Sequence, residues 1–510
     1  MNEKSWLPGW ISRRSAGALL HLTSLPSSTG IGNLGRGAYE FIDFLSIAGF
    51  SFWQTCPVGP TGYGDSPYQV FSSSAGNPYL IDWNPLVNAG LLSKEELQPL
   101  LELDDSSVDY GSLYERFYPI ARLAHSRFRK DYSCLSHCYG EYLHFHSLHS
   151  HWLEPYAFFQ TCKELFSSSA WWEWPADHRD RMKVSENSSK FHFHVFLQYL
   201  FRGQWKKLHD YAEAKRISLI GDLPIYAAPD SSEVWHTPEL FQVNAETGVF
   251  IEVAGVPPDY FNEDGQYWGN PLYRWDLHQK SGYKWWMDRL SEQLQLFDVL
   301  RIDHFRGFHD YWSIPSSAND AKSGSWKKGP GLSFWKTMRK KFPSMPFLAE
   351  DLGLISDQVR RLRDSAGLPG MAVLQFAFDG SSENLYLPHN LKPSLVLYTG
   401  THDNDTTMGW YEKAGEEVRG NFRSYLNVDG NDAAWDMLRT AYRSVSPLVV
   451  VPVQDLLNLG SEARLNEPGY AMGNWKWRLR QDQLRSLASN DSSYLREQAK
   501  ITGRLPAGLP

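Results

Sequence analysis

Val299-Leu300-Arg301-Ile302-Asp303-His304-Phe305-Arg306-Gly307 is an apolar stretch that stops at a cluster of charged side chains. Its pattern predicts a short buried strand, on which Arg301 and Asp303 point to the same face because they are two positions apart. Burying an aspartate beside an arginine costs free energy unless the two are hydrogen-bonded. From this stretch alone, a structural ion pair and a part of an active site are equally open interpretations.

Two further predicted strands also end in carboxylates, which favours an active site. Residues 346–350 end at Glu350, and residues 395–398 lead into His402 and Asp403. Three acids therefore follow three strand ends, and Arg301 and His402 stand beside two of them. We expect these side chains to meet in one site.

Eight short β-rich runs alternate mostly with helical patterns along the chain: residues 16–20, 50–55, 218–222, 299–303, 346–350, 371–376, 395–399 and 448–453. Eight strands with crossover helices predict an α/β fold, a (β/α)8 TIM barrel whose functional side chains follow the carboxyl ends of the strands. A doubly wound open sheet would give the same alternation. It would not by itself place acids at four strand ends, as Asp222, Asp303, Glu350 and Asp403 are placed, so we favour the barrel.

The chain is predicted to be one catalytic domain, residues 1–510, with large helical insertions between barrel strands. Residues 80–190 have a helical pattern with polar breaks and lack strand alternation, which indicates an inserted helical subdomain. Residues 223–282 form a further insertion that we expect to carry an active-site loop.

Composition excludes several classes of function. The 510 residues are 42% hydrophobic and 21% charged, as in an ordinary globular protein, and the net charge of -8 argues against nucleic-acid binding. No apolar run is long enough to span a bilayer, and residues 1–14 lack the apolar core of a secretory signal. Four cysteines in so long a chain indicate a reducing compartment. We therefore expect a cytoplasmic protein with no membrane or nucleic-acid partner.

The aromatic content is unusual, since the chain has 21 tryptophans and 15% aromatic residues. Most must pack in the core, but flat apolar rings also stack on the C–H faces of sugars. Cys134, Cys138, His144 and His146 suggest zinc, but their spacing does not match a common finger pattern, so we predict no metal site.

Three acids in one cleft cannot all stay ionised at ordinary cost, so one should hold a proton while its neighbours remain charged. That division suits glycosidic bond cleavage, in which one carboxylate attacks the anomeric carbon and another protonates the leaving oxygen. A magnesium-assisted phosphoryl-transfer site is the competing use of clustered acids. It is weakened because the sequence lacks a glycine-rich phosphate loop followed by Lys-Ser/Thr.

Longer motifs are similar to those of the 4-alpha-glucanotransferases called amylomaltase or disproportionating enzyme, glycoside hydrolase family 77 of the alpha-amylase clan. The matching stretches are LHLTSLP (20–26), GPTGYGDSPYQ (59–69), GNPYL (76–80), GDLP (221–224), GVPPDYF (255–261), WGNPLY (268–273), RIDHFR (301–306), AEDLG (349–353), THDN (401–404) and NWKWR (474–478). The resemblance covers nearly the whole chain and implies a barrel with no C-terminal β domain, for which little room remains after the eighth strand.

The resemblance also implies residue roles. Asp303 would be the nucleophile that forms a covalent glucosyl-enzyme, Glu350 the general acid and then base, and Asp403 the carboxylate that stabilises a distorted ring. The expected substrate-binding residues are Tyr68, Asp222, Arg301 and His402 around the bound glucose, Trp268 and Asn270 in neighbouring subsites, and Tyr63, Asp65, Ser66, Tyr260 and Asn474. No metal or organic cofactor is implied. The implied substrates are maltooligosaccharides and other alpha-1,4-glucans, and we expect a monomer or weak homodimer.

Transfer and hydrolysis share the covalent intermediate, so the acids cannot distinguish them. Transfer requires that a sugar 4-hydroxyl reaches the intermediate before water, which favours a shielded site. Residues 255–268 suit this because two prolines stiffen the stretch and Tyr260 and Trp268 could stack on an acceptor. An alpha-glucan hydrolase and a non-catalytic glucan-binding protein with a relic barrel remain the alternatives, although the intact acids argue against a relic.

Overall fold

The computed structural model describes residues 7–62, 64–179, 188–244, 247–258, 263–353, 355–470, 472–506 and 508. Its strands are β1 Ser15–Leu19, β2 Phe52–Gln54, β3 Ser218–Pro224, β4 Glu252–Val256, β5 Gln266–Pro271, β6 Val299–Asp303, β7 Asp310–Pro315, β8 Ser325–Lys328, β9 Phe347–Ala349, β10 Gly370–Val373, β11 Leu395–Tyr398 and β12 Leu448–Pro452.

The helices between these strands are α1 Arg36–Ala48, α2 Asn84–Asn88, α3 Gln98–Leu101, α4 Tyr110–Phe128, α5 Ser136–Tyr139, α6 Tyr142–Leu165, α7 Ala176–Arg179, α8 Ser189–Ala214, α9 Ser232–His236, α10 Trp275–Lys280, α11 Lys284–Gln293, α12 Gly331–Lys341, α13 Asp357–Ala366, α14 Thr407–Lys413, α15 Glu416–Leu426 and α16 Ala433–Arg443. After β12 come α17 Val453–Leu456, α18 Gln481–Ser486 and α19 Ser492–Ile501, and the described residues there contain no further strand.

Eight strands form one sheet in the order β10-β11-β12-β1-β2-β3-β6-β9, and every pair in it is parallel. The two end strands approach each other, since the backbone N–H of Ala349 in β9 donates to the carbonyl of Pro369 just before β10. The sheet is thus a nearly closed barrel, and the predicted (β/α)8 fold is confirmed. Each of the eight predicted β-rich runs overlaps one of its strands.

Alternate residues of the barrel strands point inward and pack together. This inner cluster is apolar and rich in branched side chains: Leu19, Phe52, Ile220, Val299, Leu348, Met371, Val373, Val396, Tyr398, Leu448 and Val450, joined by Ile11 from the turn before β1. Asp222 lies two residues after Ile220 on β3, and Arg301 lies two residues after Val299 on β6, so both point inward as well. The register of β3 against β6 sets these two residues side by side.

A second sheet of four antiparallel strands, in the order β5-β4-β7-β8, lies outside the barrel and was not predicted. Its β4 and β5 come from residues 223–282, and β7 and β8 lie between β6 and β9. Sequence alternation did not indicate it because β5 contains glycine and proline and β8 is a short, mostly polar edge strand. These strands are stabilised by pairing with neighbours rather than by their own pattern.

Between β2 and β3 the described chain is helical, from α2 to α8. The long helices α6 and α8 pack against one another, and the hydroxyl of Tyr199 in α8 donates to the carbonyl of Gly140, just before α6. The division into a barrel and two insertions at 80–190 and 223–282 stays a prediction. Among the described helices, none combines the length and apolar character needed to cross a bilayer.

Candidate active site

Arg301 lies at the floor of the site and is shared between two acids. Its Nη1 lies 2.6 and 2.8 Å from the two carboxylate oxygens of Asp222 and 3.0 Å from Oδ1 of Asp303. The side chains of Arg301 and Asp222 are almost fully buried, whereas that of Asp303 is 28% exposed. The Arg301 guanidinium therefore neutralises the buried negative charge of Asp222 and orients the accessible carboxylate of Asp303.

Tyr68 and His402 extend the hydrogen-bond network of Arg301 and Asp222 toward Asp403. The Tyr68 hydroxyl donates to Oδ2 of Asp222 at 2.7 Å, so its oxygen accepts from Nε2–H of His402 at 2.8 Å. The two rings are stacked, with centroids 5.1 Å apart. Nε2 of His402 also lies 3.3 Å from Asp403. Burial alone would lower the pKa of His402, but the charge of Asp403 raises it overall.

Glu350 follows β9, and both of its carboxylate oxygens accept backbone hydrogen bonds. The N–H of His304 donates to Oε2 at 2.7 Å, and the N–H of Leu352 donates to Oε1 at 2.8 Å. The backbone of His304 is left-handed, with φ of 50°, a strained conformation for a non-glycine residue that is typical of functional sites.

The acids Asp303 and Glu350 differ in how strongly they hold a proton. Burial raises the pKa of Asp303 to about 6, against the opposing charge of Arg301. Burial also raises the pKa of Glu350, to about 7, with the charge of Arg301 opposing the rise and the Asp303 carboxylate adding to it. Arg301 donates a hydrogen bond directly to Asp303, which favours the ionised form of that acid, as expected of a nucleophile paired with a general acid.

Asp403 follows β11 and stays ionised. Burial acts to raise its pKa, but the charge of His402 and hydrogen bonds from His402 and Asn466 lower it to about 2. Nδ2 of Asn466 donates to Asp403 Oδ1 at 2.6 Å, and Nη2 of Arg464 donates to the Asp403 carbonyl at 2.8 Å. Asp403 is thus held by the loop that follows β12.

One cleft of about 1240 Å³ is lined by all three acids. The residues predicted for the site that line it are Ser66, Tyr68, Trp268, Asn270, Arg301, Asp303, Glu350, His402 and Asp403. Asp222 lies beneath it, bonded to Tyr68 and Arg301. Tyr63 and Tyr260 lie outside the described residues. A common cleft is the arrangement that the strand-end acids predicted.

Asp65 and Asn474 are placed away from the cleft lining. Asp65 is half-buried near Lys476, and burial raises its pKa. The Asn474 side chain accepts from Glu467 N and donates to the carbonyls of Glu467 and Tyr470, so it fastens the loop between them. Their roles in substrate binding remain predictions from motif membership.

Several cleft residues were not predicted: His304, Gln375, Arg464, Asn466 and Trp475. Trp475 stands within the NWKWR motif and has a left-handed backbone, φ of 63°, and its ring packs 5.9 Å from both Tyr68 and His402. That motif was the available signal for Trp475. Arg464 and Asn466 lie in a stretch without a motif, so nothing in the sequence marked them.

Metal ligation by the cysteines and histidines of residues 134–146 has no support in the described part of the chain. The one group there that brings three potential ligand atoms within 4.8 Å of one another is His209, Asp210 and Glu213 on α8. Cys134, Cys138, His144 and His146 do not form such a group.

Comparison with known proteins bears directly on this site. The sequence profile of the 4-alpha-glucanotransferase family, glycoside hydrolase 77, matches residues 20–484. A 4-alpha-glucanotransferase of Thermus thermophilus is 45% identical over 506 residues, covering 96% of this chain and 99% of that protein. One from a Synechocystis species is 41% identical over 496 residues, covering 96% and 98%.

Solved structures agree with the sequences. An amylomaltase from Streptococcus agalactiae in complex with acarbose is 37% identical and superimposes with a TM-score of 0.91, covering 97% of this chain and all of that one. An amylomaltase from Corynebacterium glutamicum has a TM-score of 0.77 at 16% identity, covering 98% and 77%, which shows a shared fold. By profile, identity and coverage, this chain belongs to the glycoside hydrolase 77 family of 4-alpha-glucanotransferases.

Proposed function

We propose that this 4-alpha-glucanotransferase moves segments of alpha-1,4-glucan from a donor to the 4-hydroxyl of an acceptor glucan or glucose by a retaining double displacement. The observation that carries the mechanism is that Asp303 and Glu350 line one cleft, where Arg301 donates a hydrogen bond to Asp303 and burial raises the pKa of both acids. Retaining glycosidases need one ionised and one protonated carboxyl group on either side of the scissile bond.

In the first step, Asp303 attacks the anomeric carbon while Glu350 donates its proton to the leaving glycosidic oxygen. The bond to that oxygen breaks, a covalent glucosyl-enzyme forms on Asp303, and Glu350 becomes a carboxylate. In the second step, Glu350 removes the proton of the acceptor 4-hydroxyl as this oxygen attacks the anomeric carbon. The bond to Asp303 breaks, and both acids return to their starting states.

The neighbouring groups hold the sugar in these steps. Asp403 is ionised, half-exposed in the cleft and fixed by Asn466, so it can accept hydrogen bonds from sugar hydroxyls and favour a distorted ring. His402 and Tyr68 offer polar atoms on the same side. Positive charge develops on the sugar in the transition state, and an anionic Asp403 stabilises it.

The substrate class is inferred from the site and from relatives. The cleft combines aromatic rings such as Trp268 and Trp475 with polar groups, as sugar sites do. The Streptococcus agalactiae amylomaltase was solved with acarbose, which supports maltooligosaccharides and other alpha-1,4-glucans as substrates here. Our further proposals, from sequence alone, are a cytoplasmic location and a monomer or weak homodimer.

Incubation with maltotriose tests the reaction. We expect glucose and longer maltooligosaccharides to appear together while the total number of reducing ends hardly rises, because each transfer breaks one bond and makes another. Chromatography of the products and a reducing-end assay measure both quantities. A steady rise in reducing ends would identify a hydrolase, and unchanged maltotriose would identify a non-catalytic binder.

The pH dependence of kcat/KM should be bell-shaped with its maximum near neutral pH, because burial raises the pKa of both acids above the ordinary carboxyl range. Below the raised pKa of Asp303, about 6, the nucleophile is protonated and cannot attack. Above the raised pKa of Glu350, about 7, the acid has lost the proton that the leaving oxygen needs. Initial rates at low maltotriose across this range check it. A rate that stays flat into alkaline pH would contradict the assignment of Glu350.

A further inference from the structure

We infer that a groove beside Glu350 binds the acceptor glucan beyond its first sugar, with the exposed ring of Trp326 as a stacking platform. This inference rests on the proposed transfer mechanism and adds a binding site to it. The groove has a volume of about 200 Å³ and is formed by the ends of β4 and β5, by β8 and by the loops after β6 and β9.

The groove is continuous with the catalytic cleft. Gln266, His304, Glu350, Leu352 and Gly353 line both. Beyond them the groove is bounded by a further set of residues, Gly255, Val256, Pro257, Arg306, Trp326 and Ile355. A glucan chain can therefore pass from the acids toward Trp326 without leaving the protein surface.

The position of Glu350 assigns this groove to the acceptor. Glu350 exchanges its proton with the oxygen that joins donor and acceptor, so the sugar on the far side of Glu350 is the one not bonded to Asp303. The groups proposed to hold the donor sugar, Tyr68, His402 and Asp403, line the main cleft but not the groove. The groove thus lies on the acceptor side.

Trp326 is fixed although it is 42% exposed. The guanidinium carbon of Arg306 lies 3.9 Å from the centre of its ring, and Nε of Arg306 donates to Asp310 at 2.8 Å. Trp312, its partner across β7 and β8, packs edge-on at 5.2 Å and is itself held by a 2.8 Å hydrogen bond to the Ala321 carbonyl. A ring held this way loses little conformational entropy when a ligand stacks on it.

The chemistry of the groove suits a neutral sugar. The Arg306 guanidinium covers one face of the Trp326 ring, so the C–H face of a pyranose stacks on the opposite face, and the Gln266 amide can bond hydroxyl groups. Arg306 is paired with Asp310, so its charge is compensated. An uncharged, hydroxylated ligand therefore matches the groove better than an anion does, and the growing alpha-1,4-glucan is such a ligand.

The test compares a short and a long acceptor with one donor. The donor is a 4-nitrophenyl maltoheptaoside whose terminal 4- and 6-hydroxyls are blocked, so it cannot accept. Labelled glucose or labelled maltotriose is the acceptor, and transfer is followed by chromatography of labelled products. We expect Trp326→Ala to raise the KM for maltotriose by about five- to ten-fold, as the loss of one aromatic stacking contact predicts. The KM for glucose and both kcat values should not change.

Two further variants make the result decisive. Trp326→Leu keeps apolar volume without a flat ring and should behave like Trp326→Ala, and unchanged transfer to glucose proves that each variant is folded. Tyr494→Ala removes a similarly exposed aromatic side chain, 38% exposed on α19, and should alter neither KM.

Three outcomes would overturn the inference. Equal KM values for maltotriose in the wild type and both Trp326 variants would show that the ring contacts no acceptor. A parallel rise for glucose would place the effect at the first acceptor sugar or in the fold, and a rise in the donor KM alone would place it on the donor side. Failure of the wild-type protein to extend either acceptor would instead contradict the proposed function itself.

Discussion

Replacing Asp303 with asparagine is expected to lower kcat for maltotriose by on the order of 10⁴-fold or more, as loss of a nucleophile does in enzymes with covalent intermediates. The amide keeps the shape of the side chain and can still lie beside Arg301, but it cannot form the glucosyl ester. Product formation over long incubations measures the residual rate. Turnover close to the wild-type value would contradict the assignment of Asp303.

A matched control lies just before the same strand. Asp298 immediately precedes β6, at the opposite end of the barrel from Asp303, where its carboxylate accepts from the backbone N–H of Leu219. Asp298→Asn makes the same chemical change far from the cleft and should leave kcat unchanged. Equal losses in both variants would indicate that the strand, rather than the nucleophile, had been disturbed.

The thermal stability of the Asp303→Asn variant should show whether its loss of activity comes from lost catalysis or from misfolding. Burial raises the pKa of Asp303 to about 6 in the folded protein, so its ionised form opposes folding as pH rises through that value. Asparagine removes this ionisation. At pH 8 we therefore expect the variant to unfold at the same or a higher temperature than the wild type, as measured by thermal melting.

Replacing Glu350 with glutamine is the second large expected effect. With maltotriose, kcat/KM should fall by about 10²- to 10⁴-fold because no group protonates the leaving oxygen. With alpha-maltosyl fluoride as donor, the first step should remain fast, since fluoride leaves without a proton. The second step lacks its base, so a covalent maltosyl-enzyme should accumulate and appear in mass spectra as a maltosyl adduct on Asp303.

Equal losses with maltotriose and with the fluoride would contradict the acid role of Glu350, because a group needed only for proton transfer cannot matter equally for both leaving groups. Glu412, exposed on α14 outside the cleft lining, provides the control. Glu412→Gln should have wild-type kcat/KM with both donors.

The barrel could be predicted because each of its strands is marked by a pattern of neighbouring residues in the sequence. Each inner strand is a short apolar run, and the end of the run at a charged residue marks the edge of the sheet where functional groups gather. The four-stranded outer sheet has no such signal. Its edge strand β8 contains one tryptophan among polar residues, so its existence depends on pairing with β7, which only the folded chain provides.

The sequence alone was enough to predict the eight-stranded barrel and a common cleft for Asp303, Glu350 and Asp403, since alternation and motif belong to neighbouring residues. The tertiary structure decided how those acids are held. Arg301 is shared with Asp222, Glu350 accepts from the His304 backbone, and Asp403 is bonded to Asn466, 63 positions away. These contacts join distant parts of the chain, and their energy depends on distances that no local pattern encodes.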